Sequence, residues 1–203
     1  MLMKKNYIFD LGNVLVRFWP REMTAAYVED PADIDLIWPV VFDRLYWDPL
    51  DIGGISDEEL KNACHQRLPE RLWDKADAVY DHWQEHIPTI DGMPQLVKDI
   101  KARGGKVYLL SNISIGFTEK YRDVPELVEL FELFDGLVFS GPLKFGKPDP
   151  AIFRYVLDKY DIHAEESVFI DDNAKNVESA QSVGITAILF QGDPAALGQQ
   201  LGF

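Results

Sequence analysis

The chain is predicted to adopt an α/β fold, with a parallel sheet covered by helices on both faces and a separate all-helical domain inserted into it. From Asp91 onward, short β-prone segments alternate with helical segments, which is typical of parallel sheets. The region from Phe18 to Pro88 instead carries helix signals and almost no strand signal. We therefore expect residues 1–17 and 89–203 to form the sheet domain and residues 18–88 to form the helical insertion.

The first predicted strand ends at a carboxylate. The apolar residues 7–9 precede Asp10, and a turn that contains Gly12 and Asn13 follows at once. Ligands of open α/β sheets bind outside the carboxyl ends of the strands. Asp10 is therefore a candidate active-site residue, although an aspartate at this point could also serve only as a turn former.

The insertion is predicted to be helical from its capping residues. Pro31 suits a first helical turn after Asp30 as the N-cap, because both residue types favour these positions. Ser56 and Glu59 have the spacing of a capping box, in which each side chain bonds the other residue's amide. A long helix is expected over residues 69–85.

The insertion also carries candidate substrate contacts. It contains all five tryptophans of the chain, Trp19, Trp38, Trp47, Trp73 and Trp83. Trp19 and Trp47 lie near expected loops and are the candidates to line a site, whereas the others are expected to fill a small helical core. Residues 50–55 are expected to form a flexible turn that presents Asp51 to a substrate.

Beyond the insertion, strands and helices are expected to alternate to the end of the chain. The predicted strands are 107–110, 137–139, 168–170 and 187–190. The predicted helices are 94–102, 125–134, 149–160 and 174–183, and a short one begins at 193–194.

Polar side chains follow several of these strands. In a parallel sheet the carboxyl ends lie at one edge, so this edge is expected to bring together Asp10, Ser111, Asn112, Lys147, Asp171 and Asp172. Carboxylates are the ligands that Mg²⁺ prefers, usually one or two of them with waters and a substrate phosphate. Mg²⁺ and a lysine would together neutralise a phosphate group. The sequence therefore predicts a site for Mg²⁺ and a phosphate.

Over nearly the whole chain, the order of these motifs resembles that of the haloacid dehalogenase superfamily. Within the superfamily, the chain is most similar to the branch of phosphatases that carry a helical cap between the first and second motifs. The matching segments are 9–15, 110–112, 146–149 and 169–173, which read FDLGNVL, LSN, GKPD and FIDDN. The resemblance implies a Rossmann-like sheet with strand four beside strand one. It also implies that the insertion is a mobile lid that excludes water and reads the leaving group.

The resemblance implies a role for each motif in handling phosphate. Asp10 would attack phosphorus and form an aspartyl-phosphate intermediate, which water then hydrolyses. Ser111 and the amides near Asn112 would hold phosphate oxygens. Lys147 would bridge Asp10 and the phosphate.

The resemblance also implies a metal site. Asp10 and Asp172 would bind Mg²⁺ directly, and Asp171 would bind it directly or through water. The backbone carbonyl of Gly12 would complete the protein ligands.

Gly12 departs from the family pattern. Phosphatases of the family usually carry a second aspartate at this position, two residues after the nucleophile, which protonates the leaving group and later activates water. A glycine keeps the carbonyl ligand but loses the proton transfer, a contribution of about 10²–10⁴-fold. A good leaving group such as an anomeric or acyl phosphate would need the acid less, and a cap residue or a water could supply the proton.

The sequence thus predicts a Mg²⁺-dependent phosphomonoester hydrolase for a small, sugar-like phosphate. One alternative is a 2-haloacid dehalogenase, in which Arg44 or Arg21 and Trp47 would cradle the substrate. Dehalogenases of the superfamily, however, usually have an aromatic residue where Gly12 lies and a Gly-Thr pair at positions 13–14. A second alternative is a catalytically inactive phosphate-binding protein.

The charge of the chain argues against large anionic partners. It carries 34 acidic and 20 basic residues and a net charge of −14, so it is expected to bind neither nucleic acid nor an anionic membrane. With a single cysteine, Cys64, no internal disulfide can form. No signal peptide or membrane span is recognisable, and a cytoplasmic location is expected.

Overall fold

The computed structural model describes residues 4–203 and contains a five-stranded parallel sheet. Its strands are β1 (Asn6–Phe9), β2 (Lys106–Ser111), β3 (Gly136–Phe139), β4 (Ser167–Asp171) and β5 (Thr186–Leu189). They lie in the order β3-β2-β1-β4-β5, and every neighbouring pair is parallel. The predicted α/β class and the position of strand four beside strand one are both confirmed.

The helices of the insertion and the sheet domain follow in chain order. They are α1 (Pro20–Ala25), α2 (Pro31–Val41), α3 (Arg44–Asp51), α4 (Asp57–Arg67), α5 (Trp73–His82), α6 (Met93–Ala102), α7 (Phe117–Lys120), α8 (Pro125–Phe131), α9 (Ser140–Leu143), α10 (Pro150–Tyr160), α11 (Ala174–Ser182) and α12 (Pro194–Leu201). None of the helices in this part of the chain is long and apolar enough to cross a membrane.

Side-chain caps start several of these helices as expected. Asp30 accepts a hydrogen bond from the Ala32 amide at the start of α2. Ser56 and Glu59 form the predicted capping box of α4, with both reciprocal bonds present. Local hydrogen bonding therefore fixes these two helix starts.

Two expectations about the insertion are wrong. The predicted continuous helix 69–85 is split, because 3-10 turns at 70–72 and 83–86 flank α5; the second of these turns places the buried Trp83 ring against Phe117 of the sheet domain, with centroids 5.5 Å apart. Residues 50 and 51 are not part of a flexible turn but the last two residues of α3. Pro49 lies inside α3 and lacks an amide proton, which makes this helix hard to recognise from the sequence.

The central strand delivers its carboxylate to the sheet edge. All four residues of β1 are buried, and β1 pairs with β2 on one side and with β4 on the other. The Asp10 amide continues the ladder by donating to the Ile170 carbonyl at 2.9 Å. Asp10 and Asp171 therefore leave the sheet at the same level.

The chain enters and leaves the insertion through two adjacent segments. The Arg17 amide donates to the Pro88 carbonyl at 2.8 Å, and the Ile90 amide donates to the Leu15 carbonyl at 2.8 Å. The predicted boundaries between the two domains fall at this crossing. The division itself stays a prediction, and residues 1–3 of the predicted sheet domain lie outside the described residues.

Candidate active site

A cavity of about 1010 Å³ lies between the carboxyl edge of the sheet and the helical insertion. The sheet domain lines it with residues 10–13, 111–113, 144–149 and 172–176. The insertion lines it with residues that include Arg44, Trp47, Asp48, Asp51 and Trp83. The predicted site residues thus share one cavity with side chains of the insertion. The exception is Asp171, which is fully buried and contacts the lining residue Lys147.

A buried lysine joins two of the predicted carboxylates. The Lys147 Nζ atom lies 2.7 Å from Asp10 Oδ1 and 2.7 Å from Asp171 Oδ2. Burial lowers the pKa of Lys147, but the two carboxylates outweigh burial and raise the pKa above its ordinary value. The ammonium group therefore stays charged beside Asp10, where it can also reach a bound anion.

The carboxylate of Asp171 is held on both oxygens. Besides Lys147, its Oδ1 atom accepts from the Asn173 amide at 2.8 Å, and both oxygens accept from Asn176 Nδ2 at 3.0 Å. Asp171 is fully buried. These bonds show that Asp171 orients Lys147, and its contact with a metal, directly or through water, stays a prediction.

Three carboxylates form a cluster that fits a divalent cation. Oxygens of Asp10, Asp171 and Asp172 lie within 4.8 Å of one another, and no second group of this kind occurs within residues 4–203. Together with Lys147, the three aspartates when ionised leave an excess of two negative charges. Hard oxygen ligands with excess negative charge are what Mg²⁺ requires.

The pKa values reflect the same excess of negative charge. Burial raises the pKa of Asp10 to about 7, and the nearby Asp171 adds to the rise while Lys147 opposes it. Burial and Asp171 also raise the pKa of Asp172, against the effects of Asn13 and Lys147. A bound cation would favour the ionised form of both groups.

Asn112 fixes the loop that carries Lys147. Its side-chain amide donates to the Lys147 carbonyl at 2.7 Å, and its Oδ1 atom accepts from the Lys147 amide at 2.8 Å. A side chain at Gly146 would meet Asn112 Oδ1 at 2.6 Å, so glycine is needed there. The side chain of Asn112 thus positions Lys147, and the Ile113 amide donates to the Ser140 hydroxyl oxygen. Ser111, which lines the cavity, remains the candidate in this loop to contact a phosphate.

Position 12 has room for a side chain. Gly12 lines the cavity, and a Cβ atom built on it would meet nothing closer than Phe18 Cβ at 3.9 Å. The absence of a carboxyl group at this position therefore changes the chemistry of the site and is not imposed by packing.

The insertion contributes Asp51, Trp47 and an ion pair to the cavity. Asp51 is buried, with 9% of its surface exposed. Arg44 pairs with Asp48 at 2.6 Å. The sequence predicted that Asp51 contacts the substrate from a loop. In the structure Asp51 lines the cavity from the C-terminal end of helix α3.

Two other expected contacts lie elsewhere. Arg21 is not among the residues that line the cavity, and it pairs with Asp35 at 2.9 Å. Trp19 is 46% exposed, with the Arg17 guanidinium 4.9 Å from its ring centroid. Of the candidates to cradle a haloacid, only Arg44 and Trp47 remain at the cavity.

The sequence model of the family of haloacid dehalogenase-like hydrolases matches residues 4–184 of this chain. The chain belongs to this family. It carries the helical insertion between the first and second strands that its resemblance to the family implied.

Named relatives include both phosphatases and dehalogenases. The chain is 25% identical to the sesquiterpene phosphatase astK of Aspergillus oryzae, over 91% of this chain and 88% of the relative. It is 39% identical to a phosphorylated carbohydrates phosphatase of Thermotoga maritima, over 64% and 57%. It is 28% identical to (S)-2-haloacid dehalogenase 1 of a Pseudomonas species, over 68% and 73%. The chain thus spans little more than half the length of the carbohydrate phosphatase.

The fold matches solved structures of the family. One is a haloacid dehalogenase family enzyme of Bacteroides thetaiotaomicron in complex with magnesium and inorganic phosphate. The alignment covers 96% of this chain and 98% of that chain, with a TM-score of 0.67 and 22% identity. The architecture of sheet and insertion is therefore shared along almost the entire chain.

Proposed function

We propose that the chain is a Mg²⁺-dependent phosphomonoester hydrolase that acts on a small, sugar-like phosphate through an aspartyl-phosphate intermediate. The observation that carries the proposal is the contact of Lys147 with Asp10 at 2.7 Å, beside a three-carboxylate cluster at the end of the sheet. The lysine can bind the phosphate anion, and the adjacent carboxylates can bind the metal cation.

Each side chain then has a role in phosphoryl transfer. One Asp10 oxygen attacks phosphorus, while Lys147 neutralises charge on the phosphate oxygens. Ser111 and the backbone amides near Asn112 hold the same oxygens. Asp10, Asp172 and the Gly12 carbonyl would hold Mg²⁺, with Asp171 contributing through water, and the metal would supply further neutralisation of the transferred group.

The charge of the site favours a phosphatase over a dehalogenase. Dehalogenation needs no metal, and it requires a cation to hold the substrate carboxylate. Arg44 is the candidate cation, but its side chain is 78% exposed and already pairs with Asp48. The carboxylate cluster would repel a haloacid in the absence of a metal, whereas a phosphate that arrives with Mg²⁺ balances it.

The substrate class is inferred from the lining of the cavity. Trp47 contributes an aromatic ring to the cavity wall, and Asp48 offers carboxylate oxygens that can accept hydrogen bonds from hydroxyl groups. Aromatic stacking combined with carboxylate acceptors suits a sugar. The name of the Thermotoga maritima relative, a phosphorylated carbohydrates phosphatase, points to the same class. A buried, unpaired Cys64 is consistent with a reducing cytoplasm.

A substrate screen tests this function. Phosphate release is measured from a panel of sugar phosphates and other phosphorylated metabolites with Mg²⁺, with EDTA, and after Mg²⁺ is restored. Halide release from a short 2-haloacid is measured in parallel. We expect phosphate release that EDTA abolishes and Mg²⁺ restores. Metal-independent halide release would instead establish a dehalogenase, and binding of phosphate without turnover of any substrate would establish a binding protein.

A further inference from the structure

Among the described residues that line the cavity, Asp51 carries a buried carboxyl group that has no side-chain partner. Among the other carboxyl groups of the cavity, Asp10 pairs with Lys147, Asp48 pairs with Arg44, and the side chain of Asp149 accepts from the Ala151 amide. Asp172 belongs to the carboxylate cluster. Within residues 4–203 the side chain of Asp51 forms neither a hydrogen bond nor an ion pair, although only 9% of the residue is exposed. A buried carboxyl group that faces a cavity without a partner is available for chemistry.

The backbone of Asp51 is fixed to the sheet domain. Its carbonyl accepts a hydrogen bond from the hydroxyl group of Ser140, which is fully buried. The same hydroxyl oxygen accepts from the Ile113 amide at 2.8 Å. One serine thus connects the end of α3 to the loop that follows Ser111, which holds Asp51 at a defined position over the site.

Close backbone packing reinforces this position. A Cβ atom at Gly53 would lie 2.6 Å from the Gly141 carbonyl oxygen, and Gly53 has a φ angle of +63°. The glycine at position 53 therefore lets the segment that follows α3 lie directly on α9. The insertion thus contributes Asp51 to the same cavity that Asp10 lines from the end of β1.

The surroundings of Asp51 favour its protonated form. Burial is the largest cause that raises its pKa well above the ordinary value, and the charges of Asp48 and Asp10 add to it. Arg44 and Lys147 act in the opposite direction. Tyr80 of α5 is a further titratable neighbour, and burial is the largest cause that raises its own pKa. A carboxyl group of this kind can keep its proton near neutral pH.

We propose that Asp51 is the general acid and base of this enzyme, supplied by the helical insertion in place of a carboxyl group at position 12. The inference rests on the proposed phosphatase function. It follows from the unpartnered carboxyl group, its fixed position in the cavity that Asp10 also lines, and the free space at Gly12.

One proton passes through Asp51 in each of the two steps, the formation and the hydrolysis of the aspartyl phosphate. When an Asp10 oxygen forms its bond to phosphorus, the bond to the leaving oxygen breaks, and that oxygen takes the electron pair and the proton of Asp51. Asp51, now a carboxylate, accepts a proton from water as the water oxygen attacks the aspartyl phosphate. The bond between Asp10 and phosphorus breaks, inorganic phosphate leaves, and both aspartates return to their starting states.

The decisive variant is Asp51→Asn, which keeps the size of the side chain but cannot transfer the proton. Glu58→Gln is the matched control, because Glu58 is an exposed acid of the same insertion, in the first turn of α4. For alkyl phosphates we expect kcat to fall about 10²–10⁴-fold in Asp51→Asn and to stay unchanged in Glu58→Gln.

An aryl phosphate separates the two steps, because its leaving group needs no proton. Asp51→Asn should release one equivalent of aryl alcohol per enzyme in a burst and then turn over slowly, because the acylphosphate lacks a base for its hydrolysis. Adding Gly12→Asp to Asp51→Asn should restore much of the lost kcat, since position 12 has room for a side chain.

The outcomes separate the two proposals. If the wild-type enzyme releases no phosphate from any substrate, the proposed function fails and the role of Asp51 fails with it. If the wild type is active and Asp51→Asn matches it on alkyl phosphates, only the role of Asp51 is overturned. Equal losses on alkyl and aryl phosphates, with no burst and no recovery by Gly12→Asp, would reduce Asp51 to a structural role.

The pH dependence gives an independent readout. A general acid must carry its proton, so kcat for alkyl phosphates should fall as pH rises through the pKa of Asp51. Asp48→Asn removes a charge that raises this pKa, so it should move the basic limb of the profile to lower pH. An unmoved limb would contradict the assignment.

Discussion

At the scale of single residues, the site depends on the buried ammonium group of Lys147. Lys147 contacts Asp10 and Asp171 at 2.7 Å each, and Asn112 fixes its backbone. Removing one partner of a buried ion pair leaves the other charge uncompensated, which typically destabilises a protein by about 3–5 kcal/mol. Lys147 is therefore expected to contribute to stability as well as to the proposed chemistry, and a test of the nucleophile should leave it in place.

The first prediction concerns the nucleophile. Asp10→Asn removes the attacking oxygen but retains a carbonyl oxygen that can accept from Lys147, so kcat for phosphate release should fall about 10³-fold or more. Lys147 stays paired with Asp171 in this variant, and the substitution removes the repulsion between Asp10 and Asp171, so the melting temperature without metal should be unchanged or higher. Steady-state assays and thermal unfolding measure both. A variant with nearly wild-type kcat would show that the nucleophile is misassigned.

The second prediction concerns stability and pH. Because the pKa of Asp51 is raised in the folded state, the unfolded chain releases this proton at a lower pH than the folded chain does. Stability is therefore lost as pH rises from about 4 through the folded pKa. The Asp51→Asn variant has no ionisable group at this position, so it does not lose stability in this way as pH rises. It should melt above the wild type at pH 8 and equal to it below about pH 4, and a variant that is less stable at both values would contradict the prediction.

At the scale of elements, the junction of α3 with α9 sets the geometry of the cavity. Glycine at position 53 allows the backbone to contact the Gly141 carbonyl, and the Ser140 hydroxyl donates to the carbonyl of Asp51, the last residue of α3. Stacking of Trp83 on Phe117 and the 3.1 Å ion pair of Lys120 with Asp81 join the insertion to the sheet domain at a second place. The insertion is thus held over the site at more than one point.

The third prediction compares two glycines with similar backbone angles. Gly53 and Gly104 have φ angles of +63° and +83°, but a Cβ atom at Gly104 would meet nothing within 4 Å. Gly104→Ala should therefore cost only about 1 kcal/mol and leave kcat unchanged. Gly53→Ala adds a clash with Gly141, so it should be more destabilising and lower kcat by shifting Asp51. Denaturant unfolding and kinetics measure both, and identical behaviour of the two variants would refute the role of the junction.

At the scale of the whole molecule, the excess of negative charge is expected to make the stability of the fold depend on divalent cations. The chain carries a net charge of −14, and the sheet edge gathers three carboxylates around one lysine. A ligand that binds only the folded state stabilises it in proportion to the logarithm of its concentration. Divalent cations should therefore stabilise the fold even in the absence of substrate.

The fourth prediction measures this stabilisation. At a Mg²⁺ concentration of 100 times Kd the gain is about 2.7 kcal/mol, which corresponds to a rise in Tm of about 5–10 °C for a chain of this size. Asp172→Asn should abolish the rise, whereas Asp74→Asn, an exposed acid on α5, should retain it. Loss of the rise in both variants, or its persistence in Asp172→Asn, would contradict the assignment of the metal ligands.

Much of this architecture could be predicted from local patterns in the sequence. The run 7–9, its carboxylate and the following turn identify the first strand, and Asp30 and Ser56 identify two helix starts through hydrogen bonds with near neighbours in the chain. The end of α3 could not be predicted, because Pro49 hides the helix and because the burial of Asp51 comes from contacts about 90 residues away in sequence, at Ser140.

The sequence by itself determined the class of fold, the family and the residues at the sheet edge, because strand alternation, capping and motif order depend on neighbours in the chain. Only the tertiary structure decided that Asn112 locks Lys147, that Arg21 and Trp19 do not line the cavity, and that Asp51 faces it without a partner. These relations depend on how the insertion packs on the sheet. That packing is set by contacts between distant segments, which no local pattern encodes.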